Sequence, residues 1–402
     1  MYYTLIDNLA FLLNSLPPYN GSITFTGALS NFLPITAGVQ PPATSVFAPQ
    51  GIEAAAKTPT VNEWNLTVEQ QFSSSMAVRI GYVGSFGYHG LLSIDPNTLP
   101  AQICSDPSGC VVDTTAGTRV PQSTKYIPPP SPASATRPNP NLSAGFFWFT
   151  GGNSSYNSLQ LDVIRRLSKG LQLRGNYTWA KNLDMNSALT IAQAQNQPQM
   201  VMDRNDLRRD WGPSALTPTN QASISAHYEF PFSSATAGGL RKLTSGWQLN
   251  GITTLLGGFP FTPQIGFNRS GDGNTRNPDR PNLDPSFTGP VLLKTQKRWF
   301  DPAAFSMPTV RTWGNLGRGT FRGPGLQTVD LSVSKNTAVT ERLALQFRAE
   351  FFNALNHTNL GPPNPIVFSG NSNAFTISPS AGLITTLATD SRRIQFGLKI
   401  VY

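Results

Sequence analysis

The chain closes on Arg393-Ile-Gln-Phe-Gly-Leu-Lys-Ile-Val-Tyr402. Ile394, Phe396, Leu398, Ile400 and Tyr402 share one parity; Arg393, Gln395, Gly397 and Lys399 share the other. Side chains alternate between the faces of an extended strand, so this segment predicts one apolar and one polar face. The pattern recurs upstream. Leu343, Leu345, Phe347, Ala349 and Phe351 oppose Gln346, Arg348 and Glu350, and Val329, Leu331 and Val333 oppose Asp330, Ser332 and Ser334. Further runs start near Trp247, Ala222, Leu171, Leu159, Met76 and Trp64. Each is about ten residues long, the length a tilted strand needs to cross a bilayer. Sandwich strands are nearer five or six residues.

The connections are of two kinds. Short ones fall near 73–75, 168–170, 232–245 and 336–341; long ones span roughly 85–155, 182–219, 258–325 and 354–391. They alternate along the chain. Outer-membrane barrels show this asymmetry, with short periplasmic turns and long external loops. The reading is therefore all-β: an antiparallel transmembrane β-barrel, partial, with about ten strands of a larger barrel and long extracellular loops. Residues 61–402 supply the carboxy-terminal barrel portion; residues 1–60 read as the end of one truncated strand, at Met1 to Leu9, plus a Pro-rich loop.

The polar face carries both signs of charge: Glu69, Arg79, Asp162, Arg174, Glu229, Asp330, Arg348, Glu350, Arg393 and Lys399. A dry core would not tolerate them. They are expected to face a wet or plugged lumen, pairing across neighbouring strands. Phe72, Trp179, Phe230, Trp247, Phe351 and Tyr402 lie near strand ends, where interfacial aromatic girdles belong.

Composition agrees. Only 13% of residues are charged, against roughly 25% in soluble domains, while Gly 35 and Pro 34 punctuate the chain. The net charge of +9 is spread singly along strands, with no Lys/Arg run resembling a nucleic-acid arm. Cys104 and Cys110 flank the turn sequence Ser-Asp-Pro-Ser-Gly, which favours a small disulfide loop in an oxidising compartment over two free thiols. Met1 to Asn20 has no basic segment and is broken by Pro17 and Pro18, unlike a secretory signal. An exported barrel needs one, so an amino-terminal part is expected to be missing from this chain.

Little here resembles catalysis. His89, His227 and His357 are far apart, without metal-ligand spacing, and Gly317, Gly319 and Gly323 miss the dinucleotide spacing. Asp272, Asn274 and Asp279 have alternate oxygens like a calcium loop, but Arg276 stands at a ligand position, which favours a plain Asp/Gly turn. No cofactor and no enzymatic activity are expected.

Several segments resemble the Oar-like branch of TonB-dependent transporters: Tyr156-Asn-Ser-Leu-Gln-Leu161, Leu173-Arg-Gly-Asn-Tyr-Thr-Trp-Ala-Lys181, Gly246-Trp-Gln-Leu-Asn-Gly251, Asp279-Arg-Pro-Asn282, Trp299-Phe-Asp-Pro-Ala-Ala-Phe305, Gly317-Arg-Gly-Thr-Phe-Arg-Gly-Pro-Gly325 and Arg348-Ala-Glu-Phe-Phe-Asn-Ala-Leu-Asn356. The loop Asp206-Leu-Arg-Arg-Asp-Trp-Gly-Pro-Ser214 keeps the family's Gly-Pro-Ser core but continues without the charged cluster usual there. The closing strand, with Phe396, Leu398, Ile400 and Tyr402, is similar to the signal read by the barrel-insertion machinery. The resemblance implies a twenty-two-strand barrel in the outer membrane of a Gram-negative-type bacterium. Its amino-terminal plug would couple to a periplasmic TonB-type energiser. Uptake of an unidentified ligand is the expected function. Two alternatives stand beside it: a self-contained small pore or adhesin with large surface loops, and a secreted carbohydrate-binding β-sandwich.

Overall fold

The computed structural model describes residues 50–132, 136–187, 198, 200–231, 244–274, 276, 279–340 and 342–402. The strand expected at Met1 to Leu9 and most of the turn expected at 232–245 lie outside them. Nine long strands form one sheet: β1 Thr60–Ser73, β2 Met76–Ile94, β3 Phe146–Ser168, β4 Leu171–Asp184, β5 Asn220–Glu229, β6 Trp247–Leu256, β7 Leu326–Ala338, β8 Ala344–Phe352 and β9 Arg393–Val401. Each pairs antiparallel with the next, in chain order. Two short segments join this sheet: Gln50–Ile52 runs parallel to β3, and Gly212–Pro213 pairs with β4.

The register carries the alternation from strand to strand. Val68 lies opposite Ile80, Ile80 opposite Leu161, Leu161 opposite Tyr177, Tyr177 opposite Ala222 and Ala222 opposite Leu255. Leu255 then meets Gln327, and a second row on the same face runs from Gly251 through Leu331 and Phe351 to Ile394. These side chains are uncovered: Leu66 is 70% exposed and Phe396 68%. An apolar face spanning nine strands far exceeds the patches soluble monomers expose. Hydrocarbon is the solvent it fits, and the sandwich alternative fails because no second sheet covers it among the described residues.

The tight turn between β3 and β4 shows why the strands meet as they do. Lys169 and Gly170 both have positive φ, 52° and 78°, the conformation whose twist matches a two-residue hairpin. A Cβ on Gly170 would also sit 2.6 Å from the Glu229 carbonyl.

The expected loop at 85–155 is corrected. β2 runs on to Ile94 and β3 starts at Phe146, making strands of 19 and 23 residues. Bulges between Gly87, Gly90 and Leu92 shift the register there. A bulge turns side chains off their parity, so the alternation stops while backbone pairing continues. Gly152 permits the close approach: a Cβ on it would lie 2.8 Å from the Gly90 carbonyl.

The largest hydrophobic core is in the long connections rather than in the sheet. Phe261, Ile265, Trp299, Phe300, Val367 and Ile384 belong to it, drawn from the third and fourth long loops. A sheet with one face for lipid and one polar cannot bury these side chains, so they bury one another. Short strand pairings knit the loops: Pro260–Phe261 with Phe321–Arg322 and Asn282–Leu283 with Phe305–Ser306, both antiparallel, and Gln264–Ile265 with Ile366–Gly370, parallel.

Candidate functional site

The described residues of the four long connections, within 95–145, 185–219, 257–325 and 353–392, bond to one another as a single loop assembly. Arginines from its third loop lock the second in place. Arg280 donates through Nη1 to Asp210 Oδ1 at 2.7 Å and through Nη2 to the Arg209 carbonyl at 2.7 Å. The other Asp210 oxygen accepts from Met202 N at 2.9 Å. Arg318 donates to the Asp210 carbonyl at 2.6 Å, the Gly212 carbonyl at 3.0 Å, Ser187 Oγ at 3.0 Å, and both the carboxylate and the carbonyl of Asp184.

Both arginines are buried, Arg280 at 1% and Arg318 at 3% exposure. Burial pushes the Arg318 pKa down, with Asp184 and Asp210 opposing the shift. Breaking such a pair by removing one partner costs about 3–5 kcal/mol, because a buried charge is left without its counterion. Gly212 must be glycine here, since a Cβ would meet the Arg318 carbonyl at 2.4 Å.

The family-like segments thus meet in space. Asp206 to Ser214 supplies Asp210 and Gly212, Asp279 to Asn282 supplies Arg280, Gly317 to Gly325 supplies Arg318, and Trp299 to Phe305 fills the core. Arg348 to Asn356 makes the strand-to-loop corner: Asn353 N donates to Asp330 Oδ1, and its side-chain amide donates to the His357 and Asp390 carbonyls. The partners lie 70 and 134 positions apart for Arg280–Asp210 and Arg318–Asp184, so no local pattern announced them.

A second knot joins the first loop to the third. Asp95 takes Arg137 at 2.9 Å, and Arg137 also donates to the Gly273 carbonyl. Asp272 and Asn274 use their side-chain oxygens on backbone N–H groups of Asn274 and Arg276, at 2.8 and 2.9 Å. That is the hydrogen bonding of consecutive Asx turns. Asp279 is fully enclosed; burial first, then the Asp272 charge, pushes its pKa up to about 7. Cys104 and Cys110 are joined by a disulfide beside Val112, Val120 and Tyr126.

The charges read from sequence share the polar face of the sheet. Glu69 pairs with Arg79 at 2.9 Å and Asp162 with Arg174 at 3.3 Å, each across neighbouring strands. Arg348 meets Glu350 on its own strand at 3.4 Å, and Arg393 meets Asp390 in the adjoining loop at 3.4 Å. Glu229 meets His227 at 3.3 Å, and His227 also contacts Asn250 at 2.7 Å. Lys399 lies opposite Gln346 and is exposed. Ile164 and Ile252 share this face, opposite Arg174 and Asp330, which the alternation did not announce. On the other face, at the short-turn end, Lys335 Nζ sits 4.9 Å from the centre of the Trp247 ring.

A family model described as outer membrane beta barrel domain matches residues 1–395. The chain belongs to this outer-membrane β-barrel family. The barrel's apolar face therefore meets the outer-membrane lipid of a Gram-negative bacterium, and its sheet is open among the described residues. No curated protein matches the chain. Solved structures similar to this barrel include the outer membrane transporter YddB from Escherichia coli, at 10% identity and a TM-score of 0.45, covering 89% of this chain and 34% of that one. The ferric preacinetobactin receptor BauA of Acinetobacter baumannii matches at 11% identity and 0.37, covering 86% and 30%. The ferripyoverdine receptor of Pseudomonas aeruginosa matches at 9% and 0.39, covering 86% and 27%. The chain spans about a third or less of the length of these structures.

Proposed function

We propose that this chain is the carboxy-terminal barrel portion of an Oar-like, TonB-dependent uptake receptor. The loop assembly is its ligand-facing surface. The observation that carries the reading is the hydrophobic core and buried ion pairs inside the long loops. Loops that only connect strands need neither; a preorganised surface for recognition needs both. The family-like segments supply those locking residues, which supports the Oar-like assignment.

In this reading Arg174, Glu229, Asp330, Arg348, Glu350, Arg393 and Lys399 line the lumen around a plug that couples to the TonB-type energiser. Phe396, Leu398, Ile400 and Tyr402 present the insertion signal to the assembly machinery. All four lie in the last strand or at its end, and all are exposed.

Comparative depletion of solutes from the growth medium tests it. Cells carrying the gene are expected to remove at least one solute that deletion cells leave, and an uncoupler is expected to abolish the difference. Depletion indifferent to the uncoupler identifies a passive pore. No gene-dependent depletion refutes uptake.

A further inference from the structure

A pocket of about 290 Å³ opens where the first, third and fourth long loops meet. Arg269 and Arg311 line it, with Asp113, Pro129, Gly271 and Asn373 among their neighbours. Both arginines are half-buried, and neither has a carboxylate within ion-pair distance among the described residues. Neutral groups hold them instead. Arg269 donates to the Pro308 carbonyl at 2.9 Å and to the Ser372 carbonyl, and its guanidinium stands 5.4 Å from the Phe375 ring centre. Arg311 donates to the Pro128 carbonyl at 3.2 Å. Its side chain lies against Gly271, where a Cβ would come within 3.3 Å of Nη1. The backbones are tied as well: Arg311 N donates to the Arg269 carbonyl at 3.1 Å, and Ile127 N to the Arg311 carbonyl at 2.9 Å.

This is a costly arrangement. Burial lowers the pKa of both arginines, and Asp113 is the acid that opposes the shift for each. Asp113 spends Oδ1 on the Thr115 and Ala116 N–H groups, at 2.8 and 3.0 Å. One carboxylate against two guanidiniums leaves the pocket net positive. Among the described residues, each guanidinium keeps N–H donors that no acceptor takes, in a fork suited to bidentate oxyanions.

We propose that this pocket binds the oxyanion group of a small ligand, a carboxylate or a phosphate, held jointly by Arg269 and Arg311. The proposal rests on the loop assembly being ligand-facing, but binding needs no energised transport, so the two fail separately.

Calorimetric titration of the full chain in detergent tests it, with tricarballylate and pyrophosphate as probes. At least one is expected to bind saturably and to weaken as salt rises; which one binds assigns the ligand to carboxylates or phosphates. Arg269→Gln and Arg311→Gln are each expected to weaken that binding about tenfold, the worth of a charged hydrogen bond. Asp113→Asn is expected to tighten it several-fold, which loss of folding could not do. No saturable binding of either probe to the unaltered chain overturns the proposal, as does unchanged affinity in both arginine variants.

Discussion

Asp279 sits one position before Arg280, yet the two side chains meet opposite fates. Arg280 finds Asp210, whereas Asp279 accepts from Ser270 N at 2.7 Å and leaves Oδ1 without a partner among the described residues. Burial, then the neighbouring Asp272, raises its pKa from 3.8 to about 7 in the folded loops. The folded form keeps the proton over a range where the unfolded form has released it. Its contribution to stability is therefore complete below about pH 4, falls as pH rises toward 7, and is lost above that. Limited proteolysis should find the loop assembly more resistant at pH 5 than at pH 8. Asp279→Asn should flatten that dependence and add resistance at pH 8; an unchanged pH profile would show that Asp279 is ionised when folded. None of this was legible locally. Asp272, Asn274 and Asp279 suggested a turn from their spacing alone, and the turn hydrogen bonds agree with it. Whether the Asp279 carboxyl would be enclosed was decided by tertiary packing.

Strands were the most legible elements because their information is local. A parity of two, repeated over about ten residues, is visible in Leu171 to Trp179 without any partner. What the parity means energetically depends on the solvent of each face. Leu161 is on the uncovered apolar face, and Asn176 on the polar one beside Asp162. Leu161→Arg should cost about 2–4 kcal/mol, the price of a cation on the lipid face near mid-membrane. Asn176→Arg should cost well under that. Urea titration of the chain folded into phosphocholine vesicles would measure both, and equal costs would mean the faces are wrongly assigned. Strand ends were less legible: at Gly87 to Leu92 bulges broke the parity while the ladder continued. Backbone hydrogen bonds do not need side-chain alternation, so a sequence reading that follows side chains stops too early.

At the scale of the molecule, nine strands in simple order leave β1 and β9 each with one unpaired edge among the described residues. Unpaired edges seek partners. Hydrogen exchange on the chain in detergent should find the amides along those edges exchanging fastest among the long strands, well ahead of β5 between its two neighbours. Protection at both edges equal to that of β5 would show that they are covered.

The amino-acid sequence by itself determined the strands, their order, the two faces and the alternation of short and long connections. Each of these follows from side-chain parity and turn chemistry over a few residues. Tertiary structure alone decided that the long connections hold the largest hydrophobic core, that Arg280 and Arg318 clamp Asp210 and Asp184, and that Arg269 and Arg311 share a pocket. Those features join residues tens of positions apart, and their energies come from excluding water, which no isolated segment can do.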